Sequence, residues 1–255
     1  MKLHAAEAGG LFVKVSHSIV TPSNAPEPKM TQMIPSSPQP FFSAVLLAAG
    51  QSKRMGRFKP LLPFGSKTVI ESCVYTYLAA GIQNVVVVLH TRADDIKRQL
   101  KEVPVDFAFN PDPTSEMGAS IACGVRAIPE ESQAVFITPA DYPAVPPTVV
   151  AALAQQWSQG HAKLLVPEYG NRGGHPVLID LSFRDKLLEL NSHGGLRGFL
   201  EGHRGEVVRV PMNSPFIARD LDTWDDYLTL HHDVFRFFPP TDSERNLNAE
   251  DESLI

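Results

Sequence analysis

The chain has 255 residues, 43% of them apolar, with a formal net charge of −5 and a pI near 6.0. That length suits one large α/β domain or two small ones. The acidic balance excludes a general basic footprint for nucleic acid, and no apolar run is long enough to span a bilayer, so no membrane partner is expected. The two cysteines, Cys73 and Cys123, lie in helical patterns without a CxxC or Cys/His neighbourhood. They are expected as buried thiols of a cytoplasmic protein.

Residues 1–40 differ from the rest. Six prolines stand between positions 21 and 40 (Pro22, Pro26, Pro28, Pro35, Pro38, Pro40), separated by Ser, Thr and Gln. That composition favours an extended, flexible extension. The patch Leu11-Phe12-Val13 lacks a signal peptide's continuous apolar core. The extension is expected to be dispensable, and the domain proper to occupy residues 41–235. An acidic tail, 236–255, is expected to follow it, with Val234 to Phe238 apolar enough to pack on the domain or on a second subunit.

The apolar run Ala44 to Leu47 reads as a buried parallel strand. It breaks at Ala48-Ala49-Gly50, where a strand-end turn exposes backbone N–H groups able to bind anions. Lys53, Arg54 and Lys59 follow and can add charge-assisted hydrogen bonds to phosphate. The stretch Leu47-Ala48-Ala49-Gly50-x-Ser52-x-Arg54-Met55-Gly56-x-x-Lys59 is neither a Walker A loop nor a Rossmann fingerprint. It resembles the signature of the nucleotidyltransferases of molybdenum cofactor maturation, most closely their cytidylyltransferase branch. The resemblance implies a GT-A/Rossmann-like α/β fold. It also implies transfer of a nucleotidyl group from an NTP to a phosphate, with Ala48, Ala49, Gly50, Ser52, Arg54, Gly56 and Lys59 on the triphosphate. Arg54 and Lys59 would neutralise the leaving pyrophosphate.

Thr68 to Ala80 has helical period, with Thr68 and Glu71 spaced as a capping box and Gly81 as the stop. Val85 to Leu89 reads as a second buried strand, Ala93 to Lys101 as an amphipathic helix, and Val105 to Phe109 as a third strand. Met117 to Ile128 reads as a helix and Ala134 to Thr138 as a fourth strand. This β-α alternation predicts right-handed crossovers, a single three-layer α/β domain and a mostly parallel sheet with ligands at the carboxyl ends of its strands.

Asn110 ends the third strand and Ser120 lies in the first turn of the next helix. The run Asn110-Pro111 to Gly118-Ala119-Ser120 resembles an Asn-Pro…Gly-x-x-Ser pattern of the cytidylyltransferases, which implies base or ribose contacts for Asn110 and an anion or ribose hydroxyl for Ser120. On chemistry alone they are equally a turn former and a helix-start residue. The fourth strand ends in Asp141-Tyr142-Pro143. A carboxylate held there suits Mg²⁺, which takes one or two carboxylates plus phosphate oxygens; the resemblance implies the same, while capping of the helix near Pro146 is the plainer alternative.

Further on, Lys163 to Pro167 reads as a strand, followed by a glycine-rich turn and Gly174-His175-Pro176 before an apolar strand. Phe183 to Leu190 is amphipathic, and Arg197 follows in Gly194-Gly195-Leu196-Arg197. The resemblance implies an acceptor site at Gly174, His175 and Arg197, although Ser192 and His193 stand where the family shows Gly and Asp. This departure bears on which acceptor is used. Glu206 to Pro211 reads as a strand. In Asp220-Leu221-Asp222-Thr223, Thr223 and Asp226 form a second capping box. Asp220 and Asp222 are expected to point to opposite sides, and the resemblance favours Asp222 as the second metal-linked carboxylate.

The reading is a Mg²⁺-dependent nucleotidyltransferase that uses an NTP, CTP by resemblance, and a phosphorylated small-molecule acceptor, molybdopterin by resemblance. A cofactor-receiving enzyme is the protein partner such a role implies. A same-fold transferase acting on a sugar phosphate, and a non-catalytic nucleotide-binding protein, are the alternatives.

Overall fold

The structure, a computed structural model, describes residues 40–50, 55, 57–112, 116–190 and 194–240. The expectations for the two termini, for Ser52, Lys53, Arg54 and Gly56, and for Ser192 and His193 lie outside the described residues.

Strand β1 (Phe42–Leu47) leads to a small hairpin, β2 (Pro63–Phe64) and β3 (Lys67–Thr68), and then to α1 (Val69–Ala79), β4 (Asn84–Leu89) and α2 (Ala93–Gln99). Next come β5 (Asp106–Phe109), α3 (Met117–Ala127), β6 (Ala134–Pro139) and α4 (Pro147–Ser158). The second half holds β7 (Leu164–Tyr169), β8 (Arg172–Gly173), β9 (Val177–Asp180), α5 (Arg184–Leu188), α6 (Gly195–Gly202), β10 (Val207–Pro211) and α7 (Trp224–Phe235). Both expected capping boxes form: Thr68 with Glu71 starts α1, and Thr223 with Asp226 starts α7. Each satisfies backbone N–H groups that a helix start leaves open.

The main sheet has the order β10-β7-β9-β6-β1-β4-β5, with β8 added on β7. β1 lies parallel to β4 and β6, β4 to β5, and β7 to β10. β9 is antiparallel to both β6 and β7. The chain leaves β7 through Gly170 and Asn171, both at positive φ, and residues 170–176 are too few for a crossover, so it must run back.

Side chains alternate across the sheet and so build two cores. Ala44 and Leu46 of β1, Val87 of β4 and Phe136 of β6 pack with α1, α2, α4 and α7. Val45, Leu47, Val88 and Ile137 pack with α3, α5 and α6. The domain is therefore three-layered, and its central strands read as unbroken apolar runs because both faces are covered. On the α3 side the layers approach closely at Gly124, where a Cβ would stand 2.3 Å from a Val45 methyl.

α7 closes the domain over the hairpin. Phe235 meets Phe64 edge-on at 4.9 Å between centroids. Gly65 is left without room for a Cβ, which would lie 2.6 Å from the Phe235 ring. Buried His231 accepts from the Gly65 N–H through Nε2 at 3.2 Å, and its Nδ1 lies 2.9 Å from the Phe237 carbonyl oxygen. Of the apolar run at 234–238, Val234 and Phe235 pack against the core, whereas the Phe237 and Phe238 side chains are largely exposed.

Candidate active site

Four strands end at one place. Gly50 follows β1, His90 follows β4, Asn110 follows β5 and Asp141 follows β6. Backbone bonds lock these ends together: Ala48 N–H donates to Val88 O at 2.9 Å, Asn110 N–H to Leu89 O at 2.9 Å, and Ala140 N–H to Leu47 O at 3.1 Å. A cleft of about 270 Å³ opens there, bounded by Ala48, Ala49, Gly50, Lys59, Ser120 and Asp141 among others. A Cβ built on Gly50 meets no atom within 4 Å, so the backbone there is open to a ligand.

Asn110 and Ser120 come together as a pair. Asn110 is buried, its amide nitrogen donates to Ser120 Oγ at 2.9 Å, and its Oδ1 accepts from the Asp112 N–H at 3.1 Å. The side chain of Asn110 therefore shapes the loop into α3. The Ser120 hydroxyl, already an acceptor, keeps its own proton for a further bond.

Lys59 begins a short 3-10 turn braced by Pro60. Its Nζ lies 3.5 Å from Asp141 Oδ2 and 3.3 Å from Asp222 Oδ1, with the lysine side chain 12% exposed. Asp141, Asp220 and Asp222 each place a ligand oxygen within 4.8 Å of the others. This corrects the expectation that Asp220 and Asp222 diverge. On an extended segment neighbouring side chains alternate, so residues two apart share a face. Leu221 between them is the one that turns away into the core, and its N–H donates to the Asp141 carbonyl at 3.1 Å. Asp141 is not a helix cap: α4 starts after Pro146, without a side-chain cap.

Burial raises the Asp141 carboxyl above its ordinary value; Lys59 opposes the rise and Asp220 adds to it. Its Oδ1 is buried and has no hydrogen-bond partner among the described residues. An orphaned carboxylate oxygen beside two further carboxylates is a hard-oxygen donor set that fits a divalent cation such as Mg²⁺.

On the other side of Asp141 stand Tyr142 and His175, ring centroids 4.8 Å apart. Burial holds the His175 imidazole down to about 4, so it is neutral at neutral pH. Burial, then Asp220 and the other carboxylates, push the Tyr142 phenol up. Gly174 has a packing reason of its own, since a Cβ would stand 2.2 Å from the Ile217 carbonyl oxygen. Arg197 is exposed on α6, whose start faces α3: a Cβ on Gly195 would lie 4.0 Å from Gly118 N.

Sequence alone did not bring out His90, which lines the cleft, or the joint placement of Asp220 with Asp141 and Asp222. His90 carried a usable signal, since it lies just past the end of a strand.

A family model of MobA-like NTP transferase domains matches residues 44–207. The chain belongs to this family. Within reach of this NTP transferase chain is the nicotine blue oxidoreductase of Paenarthrobacter nicotinovorans, 30% identical over 192 residues, covering 72% of the chain and 93% of that protein. The molybdenum cofactor cytidylyltransferase of Escherichia coli K12 is 23% identical over 186 residues, again covering 72% and 93%. A nucleotidyl transferase from Methanothermobacter superposes with a TM-score of 0.67 at 25% identity, covering 77% of this chain and 98% of its own. The family match ends before Asp220 and Asp222, so the place of these two NTP transferase carboxylates rests on the geometry above.

Proposed function

We propose that the protein transfers a nucleoside monophosphate from an NTP, CTP in preference, to a phosphorylated acceptor of the molybdopterin type. In this reaction an acceptor phosphate oxygen attacks the α-phosphorus, the bond to the β-phosphate breaks, and pyrophosphate leaves. The observation that carries the reading is the convergence of Asp141, Asp220, Asp222 and Lys59 on the cleft at the strand ends.

Asp141 and Asp222, with Asp220 beside them, would hold Mg²⁺. When bound, the ion supplies positive charge against the triphosphate. The chain's own part is positioning. Backbone N–H groups of Ala48 to Gly50, with Ser52, Arg54 and Gly56, cradle the phosphates. Lys59 leaves its carboxylates for the charge that grows on the pyrophosphate, with Arg54 beside it. Ser120 contacts the base or ribose and Asn110 holds Ser120 in place. The attacking oxygen is already ionised, so no strong base is needed and catalysis is orientation with electrostatic stabilisation. Gly174, His175 and Arg197 border the acceptor. His175 meets it as a neutral ring, giving a hydrogen bond or a stacking face and no charge. Two thiols without a disulfide agree with a cytoplasmic setting.

A relative named as an oxidoreductase, 30% identical, supports a second reading: a redox reaction on a substrate held in the same cleft, with NADH or NADPH as the reductant to be tried. The carboxylate cluster favours transfer, because hydride donation has no use for three clustered acids. Pyrophosphate release measured with each NTP, first with molybdopterin-type acceptors and then with sugar phosphates, decides between them. Release that requires both CTP and a pterin acceptor supports the proposal. Oxidation of NADH or NADPH without any pyrophosphate release overturns it.

A further inference from the structure

His90 stands at the end of β4 and lines the cleft with Ser120, Asp112 and Met117. Its Nδ1 lies 2.8 Å from the Asn110 carbonyl oxygen. A carbonyl only accepts, so Nδ1 carries the proton and donates. In the neutral imidazole Nε2 is then a bare acceptor, with no hydrogen bond to a described residue. Phe109 flanks the ring, centroids 6.1 Å apart at 31°, and helps to fix its plane. The cleft thus offers the proton of Ser120 Oγ as a donor and His90 Nε2 as an acceptor. Asn110 sets both, through its amide on one side and its carbonyl on the other.

We infer that His90 is a base-reading residue: its Nε2 accepts a hydrogen bond from an N–H group on the edge of the nucleobase. The inference rests on the cleft being the nucleotide site, as proposed above, and deepens it by naming a determinant of base choice. With Nδ1 pinned to Asn110, the ring cannot swap its donor and acceptor without losing that bond. An exocyclic amine such as that of cytosine is therefore accepted, whereas a carbonyl in the same place meets a lone pair. A site built around a paired polar group rejects the mismatched analogue because a buried group is left unpaired.

Two variants separate recognition from support. His90→Asn keeps an amide N–H in place of Nδ1 and loses the atom at Nε2. His90→Gln keeps an acceptor near the Nε2 position. Binding of CTP, UTP and inorganic triphosphate is measured by titration calorimetry in the presence of Mg²⁺ on the full chain. We expect His90→Asn to weaken CTP roughly tenfold, the size of one neutral hydrogen bond, to narrow the preference for CTP over UTP, and to leave triphosphate unchanged. His90→Gln should recover part of the CTP affinity. CTP and triphosphate affinities both unchanged in His90→Asn would overturn the role of His90 while leaving the nucleotide site intact. Equal losses of CTP and triphosphate would also overturn it, by marking a structural role. If neither ligand binds the unaltered protein, the nucleotide reading itself fails.

Discussion

At the scale of single residues, the site is defined by charges that the fold places against their preference. Asp141 is buried enough for its carboxyl to rise, yet one oxygen has no partner among the described residues. Lys59 bridges Asp141 and Asp222 at lengths typical of a loose ion pair. His175 shows the same effect of burial with the opposite sign. Its folded imidazole is held down to about 4, against an ordinary 6.5, by burial. Above 6.5 both states are neutral and the residue adds no pH dependence. As the pH falls from 6.5 toward 4 the unfolded chain takes up the proton first, so stability is lost on acidification. His231 is shifted in the same direction, so the contribution of His175 must be read as a difference. Urea unfolding at neutral pH and at about pH 5 should show a smaller acid loss in His175→Gln than in the unaltered protein. Equal losses in the two would show that His175 titrates normally.

At the scale of elements, the side proposed for the acceptor depends on how β9 enters the sheet. The return from β7 carries Gly174 against the Ile217 carbonyl, and the His175 N–H donates to that same carbonyl at 2.8 Å. Ile217 belongs to the short 3-10 turn Pro215–Ala218 that precedes Asp220 and Asp222. The packing of one glycine therefore sets the distance between the β9 strand and the carboxylate segment. Gly174→Ala must displace backbone, and overpacking of this kind costs about 1–3 kcal/mol. Urea unfolding should register that loss, and the carboxylate cluster proposed to hold the metal should loosen with it, since the turn moves away from Asp141. Stability equal to the unaltered protein would mean that the turn yields freely.

At the scale of the whole molecule, much of this was legible in sequence because its causes are local. Unbroken apolar runs at Val85–Leu89 and Ala134–Ile137 require cover on both faces. Thr68 with Glu71 and Thr223 with Asp226 announce helix starts through bonds made within four residues. The positions of Asp141 and Asn110 follow from the rule that ligands gather at the carboxyl ends of parallel strands. What stayed hidden depends on long-range closure. The meeting of Asp220 and Asp222 with Asp141 needs α7 to fold back over the β2–β3 hairpin and Leu221 to bond the Asp141 carbonyl. The contact of His90 with the Asn110 carbonyl needs the register between β4 and β5, and the bond of Asn110 to Ser120 needs the path of the loop from β5 into α3. The neutrality of His175 depends on burial, which no spacing of residues reports.

The central claim is that Asp141 anchors a metal for nucleotidyl transfer, and the Asp141→Asn substitution tests it most directly. The variant keeps the side chain's shape and removes its charge. Pyrophosphate release from CTP with a molybdopterin-type acceptor and saturating Mg²⁺ should fall by roughly 10²–10³. The metal-free variant should melt no lower than the unaltered protein, because the charge removed is one that burial and the neighbouring Asp220 and Asp222 disfavour, and Lys59 keeps its contact with Asp222. Transfer at the unaltered rate in Asp141→Asn would contradict the account.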